Sequence, residues 1–335
     1  MTLEERIVAF SKLGKNLHAI DEADFQNLVI KVKNENPWFT EESIKLALRG
    51  LASYLDEGRL LRWTLHYSLP RREPKVIALI LAGNIPLVGF HDLLSVLISG
   101  NSALIKLSSK DSVLIPFITK KLIEIEPRFS ERLKFAERLK DFDAVIATGS
   151  DNSARYFEYY FGKYPHIIRQ NRTSVALLTG NETTYDLVEL GRDVFGYFGL
   201  GCRNVSKLFV PEGYSFDKLF EHWQHYQSII HHHKYCNNYD YQKSIMLVNR
   251  IPFLDNGFVM LTENQRLVSP IAVLYYEFYQ DTTSLKETLN TLQDKIQCIV
   301  GKVTPASIIF GQAQFPELWD YADQVDTLKF LADLS

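Results

Sequence analysis

From Lys75 onward the chain alternates short, wholly apolar runs with helix-like segments, and this alternation restricts the fold more than any other feature. Residues 76–82 are continuously apolar, as expected of a strand buried on both faces, and Gly83-Asn84-Ile85-Pro86 breaks the run. Pro86 suits the first turn of a helix reaching about Ser99, and Gly100 suits its C-terminal cap. Residues 103–107 form the next short strand, so 76–107 is one βαβ unit, whose crossover should be right-handed. Asp111 or Ser112 opens another helix, with Pro116 early enough to be tolerated. Residues 143–147 make a third strand, broken by Thr148-Gly149-Ser150. Ligands of such doubly wound sheets bind at the carboxyl ends of the strands. Here those ends are residues 83–84, 106–109 and 148–150. The dinucleotide fingerprint G-x-G-x-x-G is absent, so an ordinary Rossmann phosphate loop is not expected.

Upstream, the first seventy residues read as helical. Thr40 is an N-cap for a helix carrying Glu41 and Glu42 in its first turn, with Ile44, Leu48, Leu51 and Leu55 at helical spacing and Gly58 as its stop. A second α/β pattern starts near Ser174: a strand over 175–178, a helix over 183–198, a turn at Cys202 and a strand ending at Val210. A polar, His- and Tyr-rich stretch spans 222–241, and 271–275 and 308–310 are further candidate strands. The predicted fold is α/β: two doubly wound domains, 1–172 with a helical N-terminal segment and 173–335 carrying Cys202.

Lys plus Arg number 37 and Asp plus Glu 40, which is no footprint for nucleic acid. No window approaches the roughly 20 apolar residues of a membrane span, and the N-terminus lacks a signal peptide's apolar core. Cys202, Cys236 and Cys298 are odd in number and widely spaced. They form neither a metal-ligand pattern nor a disulfide framework, which points to a reducing, cytoplasmic setting. His231, His232 and His233 are adjacent and do not share a helix face. No Cys or acidic partner stands at ligand spacing, so no metal site is expected.

Residues 199–210 read GLGCRNVSKLFV. The glycines permit positive φ and close approach of a reactant, which places Cys202 in a turn just ahead of an apolar strand. That is how a nucleophilic thiol is presented, with backbone N–H groups near a developing oxyanion. Most cysteines outside disulfides are instead small buried hydrophobes, and Cys236 fits that plainer description.

The segments 83–86 (GNIP), 99–106 (SGNSALIK) and 147–150 (ATGS), followed by GCRNVSKLFVPEGY from Gly201 and YADQVDTLKFL near the C-terminus, occur in order. Together they resemble the aldehyde dehydrogenase superfamily, and within it the LuxC-type acyl-CoA reductases. The resemblance runs from about Lys75 to Val210 and continues more weakly beyond. It implies that Cys202 accepts the acyl group and that Asn84 contributes a side-chain amide to the oxyanion hole. On its residues alone, Asn84 also suits a helix N-cap. It implies that Lys106 contacts the adenosine ribose or its phosphate. Thr148, Gly149 and Ser150 then present a helix N-terminus to the pyrophosphate.

Two departures from the superfamily pattern carry information. Three positions after Lys106 the usual Glu, which grips the ribose 2′-hydroxyl, is Ser109 here. A serine beside Lys106 and Lys110 tolerates a 2′-phosphate, which favours NADPH, with NADH also possible. The second glycine of the phosphate segment is Ala154. The region matching the general-base Glu of hydrolytic members reads Ile168-Arg169-Gln170-Asn171-Arg172-Thr173 and holds no carboxylate. A hydrolase needs a base to activate water; a thioester reductase does not, because hydride attacks the acyl-enzyme.

The expected reaction is attack of the Cys202 thiolate on an acyl-CoA or acyl-carrier thioester. A thiolate with pKa about 8.5 then departs, and reduction releases an aldehyde. A fatty acyl group is expected, and the resemblance also implies a homo-oligomer. Two alternatives stand: another acylating aldehyde dehydrogenase or acyl phosphate reductase of the same superfamily, and a non-catalytic scaffold that kept the fold.

Overall fold

A computed structural model describes residues 1–69 and 73–334. The chain divides into two compact units: Met1–Asn171 with Glu317–Ser335, and Arg172–Pro316.

The first unit opens with four helices, α1 (Leu3–His18), α2 (Glu22–Glu35), α3 (Glu41–Tyr54) and α4 (Glu57–Thr64). Each begins at a side-chain cap, with Thr2, Asp21, Thr40 and Asp56 accepting backbone N–H groups that the first turn leaves unpaired. Thr40 caps as the sequence predicts. Gly58 does not stop α3: Leu55 closes that helix, Asp56 accepts the Arg59 N–H at 3.1 Å, and Gly58 lies inside α4. The apolar stripes of these helices bury Phe10, Leu13, Ile44, Leu60 and Trp63.

Next come β1 (Val76–Ile80), α5 (Phe90–Ile98), β2 (Ser102–Lys106), α6 (Leu114–Ile125), β3 (Leu133–Phe135), β4 (Ala144–Thr148), α7 (Asp151–Phe161) and β5 (His166–Arg169). The strands form a parallel sheet in the order β3-β2-β1-β4-β5. Its centre is apolar on both faces, with Ile77, Ala78 and Leu79 fully buried, which accounts for the unbroken apolar runs. The short edge strands β3 and β5 escape sequence reading because they are three and four residues long and only partly buried.

The helix after β1 starts at Phe90, not at Pro86. Leu87 takes a left-handed φ of 59° and its N–H donates to the Asp111 carboxylate at 3.1 Å, so the chain turns there before the helix can begin. Asp111 also accepts the Leu114 N–H at 3.2 Å, tying the loop after β1 to the start of α6.

The second unit contains β6 (Thr173–Leu177), α8 (Thr184–Phe195), β7 (Val205–Pro211), α9 (Asp217–Trp223), α10 (His233–Val248), β8 (Leu254–Asp255), β9 (Met260–Glu263), β10 (Val273–Tyr279), α11 (Thr282–Thr291) and β11 (Ile296–Val300). The sheet order is β11-β6-β7-β10-β9-β8, parallel except for the β8–β9 pair. The candidate strand at 308–310 is reduced to a single bridge, Val300 to Ile308. Phe195, Trp223 and Phe258 pack with edge and tilted ring geometry in the core on α8.

The segment from Glu317, including α12 (Thr327–Asp333), belongs to the first unit. Its Tyr321 hydroxyl accepts the Trp63 indole N–H at 2.7 Å. The Arg169 guanidinium donates to Asp92 at 2.6 Å, to the Thr327 hydroxyl at 2.8 Å and to the Ala322 carbonyl at 3.0 Å. Among the described residues no helix is long and apolar enough to cross a membrane.

Candidate active site

Cys202 sits between α8 and β7, half-buried, in a turn that the chain enters through three successive left-handed residues: Tyr197 (φ 49°), Phe198 (φ 59°) and Gly199 (φ 76°). Glycine takes this region freely, whereas Tyr and Phe incur about 1 kcal/mol or more each. The surroundings must therefore hold the turn, and Asn204 does much of this. Its buried side-chain Nδ2 donates to the carbonyls of Gly196 at 2.7 Å and Asp193 at 3.0 Å, and its Oδ1 accepts the Gly201 N–H at 2.8 Å.

From the sheet side, the Ser174 hydroxyl on β6 donates to the Cys202 carbonyl at 3.0 Å. Cys298 on β11 lies 3.0 Å from the same hydroxyl oxygen. Burial pushes the Cys298 thiol up, while the Arg203 charge and the Ser174 hydrogen bond oppose that rise. No disulfide joins the three cysteines. Beneath the turn, Phe198, Gly199, Val205 and Tyr235 help line a cavity of about 30 Å³. That is far below the roughly 300 Å³ of a typical ligand pocket and too small for an acyl chain as it stands.

Two buried ionisable side chains, Asp193 and Lys207, brace the same unit. Asp193, at the end of α8, accepts the backbone N–H groups of Gly311 at 2.7 Å and Ala313 at 3.0 Å. Burial outweighs these bonds and raises its carboxyl to about 7. Lys207 on β7 is fully buried, pairs closely with Glu277 on β10, and donates to the Gln265 carbonyl at 3.0 Å.

The candidate catalytic residue Asn84 and the candidate cofactor residues follow the carboxyl ends of the neighbouring parallel strands β1, β2 and β4. Asn84 is exposed in the loop after β1, beyond the buried Gly83. A Cβ on Gly83 would lie 2.6 Å from the Ser108 hydroxyl, so only glycine lets the two strand-end loops pack this closely. Lys106 ends β2 with its side chain exposed. Ser108 to Asp111 then form a tight turn, closed by the Asp111 N–H to the Ser108 carbonyl at 3.2 Å, with Ser109 and Lys110 exposed at its tip. Thr148 ends β4. A Cβ on Gly149 would lie 2.7 Å from the Ser153 Cβ and 2.8 Å from the Phe157 ring, so glycine is again required where strand meets helix. Ser150 is the N-cap of α7 and accepts the Ser153 N–H at 3.2 Å. Ala154 is buried in the first turn of that helix.

Sequence reasoning missed Asn204, Ser174, Asp193 and Cys298 as supports of the Cys202 turn. Asn204 carried a usable signal, an Asn two residues past the cysteine in a turn; the others approach through the fold. Cys236 lies on α10, its thiol pushed up by burial and by the neighbouring Asp240. His232 stacks on His233 and packs on Phe198 at 4.4 Å between ring centres. Among the described residues no group of three or more His, Cys, Asp and Glu is arranged to hold a metal ion.

The profile of the acyl-CoA reductase (LuxC) family matches residues 11–211, more than half of the chain. No curated protein matches it. Among solved structures, aldehyde dehydrogenase 21 from Physcomitrella patens, in complex with the reaction product succinate, is 13% identical. It covers 99% of this chain and 84% of its own with a TM-score of 0.69. An indole-3-acetaldehyde dehydrogenase mutant from P. syringae, in complex with NAD+ and IAA, is 13% identical over 94% of this chain and 75% of its own, TM-score 0.67. A mutant of aldehyde dehydrogenase C from Pseudomonas syringae, complexed with NAD+ and octanal, is 10% identical over 91% and 73%, TM-score 0.63. This chain therefore belongs to the LuxC family of acyl-CoA reductases, oxidoreductases acting on acyl or aldehyde groups, and has the aldehyde dehydrogenase fold.

Proposed function

We propose that the protein reduces an acyl thioester, with a fatty acyl-CoA the leading substrate, to the aldehyde through an acyl-cysteine on Cys202. The observation that carries the reading is the turn itself. Strained left-handed residues lead into Cys202, and Asn204 and Ser174 fix its main chain. Such a turn limits how far the sulfur can wander and keeps the reacting geometry narrow.

The residues at the carboxyl edge of the first sheet fit a nicotinamide dinucleotide. Gly83 and Gly149 allow close backbone approach, Ser150 opens α7, and Lys106 and Lys110 expose two positive charges near Ser109. Thr148, Gly149 and Ser150 would hold the pyrophosphate at the helix N-terminus. Lys106 and Ser109 would hold the adenosine ribose, with NADPH preferred because no carboxylate stands at 109. When bound, the reduced dinucleotide supplies hydride to the acyl group.

In the chemical step Cys202, as thiolate, forms the new thioester and expels the donor thiolate. By the resemblance to the superfamily, the Asn84 amide and the Cys202 N–H would donate to the oxyanion. The segment 168–173 brings no carboxylate to activate water, so the acyl-cysteine is kept for reduction. Cysteines outside any disulfide accord with a reducing, cytoplasmic setting. The resemblance extends to a homo-oligomer, which light scattering would check.

The deciding experiment omits cofactor. Long-chain acyl-CoA should leave one acyl adduct on Cys202, detected by mass spectrometry, and adding NADPH should discharge it as aldehyde. Cys202→Ala should show neither. Full reductase activity in that variant, or no nicotinamide consumption with any acyl thioester, would sink the proposal.

A further inference from the structure

The first unit carries a second polar concavity at the end of β2 opposite Lys106. Arg6 on α1 and Arg132, just ahead of β3, line a cavity of about 160 Å³ whose wall includes Thr2, Ser99, Gly100 and Asn101. Arg6 is only 7% exposed. Its Nε donates to the Ile98 carbonyl at 2.9 Å and its Nη1 to the Met1 carbonyl at 2.8 Å. Gly100 has φ 91°, and a Cβ there would lie 3.2 Å from Arg6 Nη1, so the backbone closes tightly on the guanidinium.

Among the described residues neither arginine forms an ion pair with a carboxylate; Arg132 reaches only the Ser102 hydroxyl, at 3.5 Å. Burial lowers the affinity of Arg6 for its proton, and repulsion from Arg132 lowers it further. Glu4 and Glu5 act in the opposite sense from the same helix.

Carbonyl bonds satisfy two donors of Arg6 but neutralise no charge, and they give no reason for a second guanidinium. A buried charge is normally paired, because desolvating it alone costs several kcal/mol. Planar guanidinium forks match tetrahedral oxyanions in geometry and charge. The cavity opens to solvent. It admits one such group but not a whole metabolite, which takes roughly 300 Å³ or more. We propose that this cavity binds a phosphate-class oxyanion between Arg6 and Arg132, either inorganic phosphate or the terminal phosphoryl group of a larger molecule left outside.

Thermal unfolding of the full chain, with inorganic phosphate titrated against chloride at constant ionic strength, tests this. The wild type should show a saturable rise in Tm, as binding to the folded state requires. Arg132→Gln, at a partly exposed position outside the bracing bonds of Arg6, should weaken the apparent affinity roughly tenfold or more. Line broadening of the phosphate ³¹P resonance reads the same affinity without unfolding either protein. Arg6→Lys, which keeps the charge and loses the fork, should also weaken it. A parallel titration with a phosphomonoester separates the sources: much tighter binding of the ester indicates a phosphorylated metabolite, and equal or weaker binding indicates free phosphate. A non-saturable rise in wild type, or the same saturation in Arg132→Gln, would overturn the proposal.

Discussion

The Ser174 hydroxyl donates to the carbonyl oxygen of Cys202 at 3.0 Å, which ties the cysteine's main chain to β6. The buried Cys298 thiol lies 3.0 Å from the same hydroxyl and completes a chain of polar groups from β11 to the turn. The position of Cys202 is thus set from the sheet as well as from its own turn.

Asn204 is the side chain on which that turn most depends. Asn204→Ala leaves the Gly201 N–H and several carbonyls without their partner. It should lower stability by about 2–3 kcal/mol, the cost of stranding buried polar groups, measured by urea unfolding. The acylation rate of Cys202 should fall more than the thioester KM rises. Asn204→Asp should be worse than Ala, because it sets a carboxylate oxygen against the carbonyls that Nδ2 now serves.

The Lys207–Glu277 pair should respond unequally to loss of either partner. Lys207 is fully buried, whereas the Glu277 side chain is 32% exposed. Glu277→Ala strands an ammonium in the core and should cost about 3–5 kcal/mol. Lys207→Met frees a carboxylate that can rehydrate, and should cost less. Equal losses on urea unfolding of the two variants would contradict this account.

Stability should depend on pH through Asp193. Its carboxyl is raised from 3.8 to about 7 in the folded state, first by burial. The folded state therefore binds this proton more tightly than the unfolded chain. The contribution is complete below about pH 4 and is lost as pH rises through about 7. Wild-type stability should decline across that window more steeply than that of Asp193→Asn, whose side chain does not titrate. Asp111, raised to about 6 by burial, adds a decline of the same sign at lower pH.

Cofactor choice should turn on residue 109. Ser109→Glu places a carboxylate at the tip of an exposed turn beside Lys110. It should raise the KM for NADPH about tenfold, the effect of roughly 1.4 kcal/mol of repulsion, with little change for NADH. Steady-state kinetics with both dinucleotides provide the check.

The central strands were legible because burial on both faces leaves wholly apolar runs, as in 76–80 and 144–147. Edge strands β3 and β5 left no such trace. The Pro86 signal misled because a long-range bond, Leu87 to Asp111, overrides a local preference for helix. Cys202 and the strand-end loops could be located because glycines mark close approach in the sequence itself. The supports of the turn could not, since Ser174 and Cys298 stand 28 and 96 positions away and meet it only through strand order. The Arg6–Arg132 cavity was equally hidden, being assembled from α1, the end of α5 and the approach to β3.

The discontinuity of the first unit has a bearing on how the protein is made. Domains usually fold as they leave the ribosome, the N-terminal one first. Here Trp63 waits for Tyr321, and Arg169 waits for Ala322 and Thr327. The second unit, unbroken from Arg172 to Pro316, has all its residues available sooner. The order of completion is therefore reversed: the later-encoded unit can close during synthesis, while the earlier one stays unfinished until the segment from Glu317 arrives.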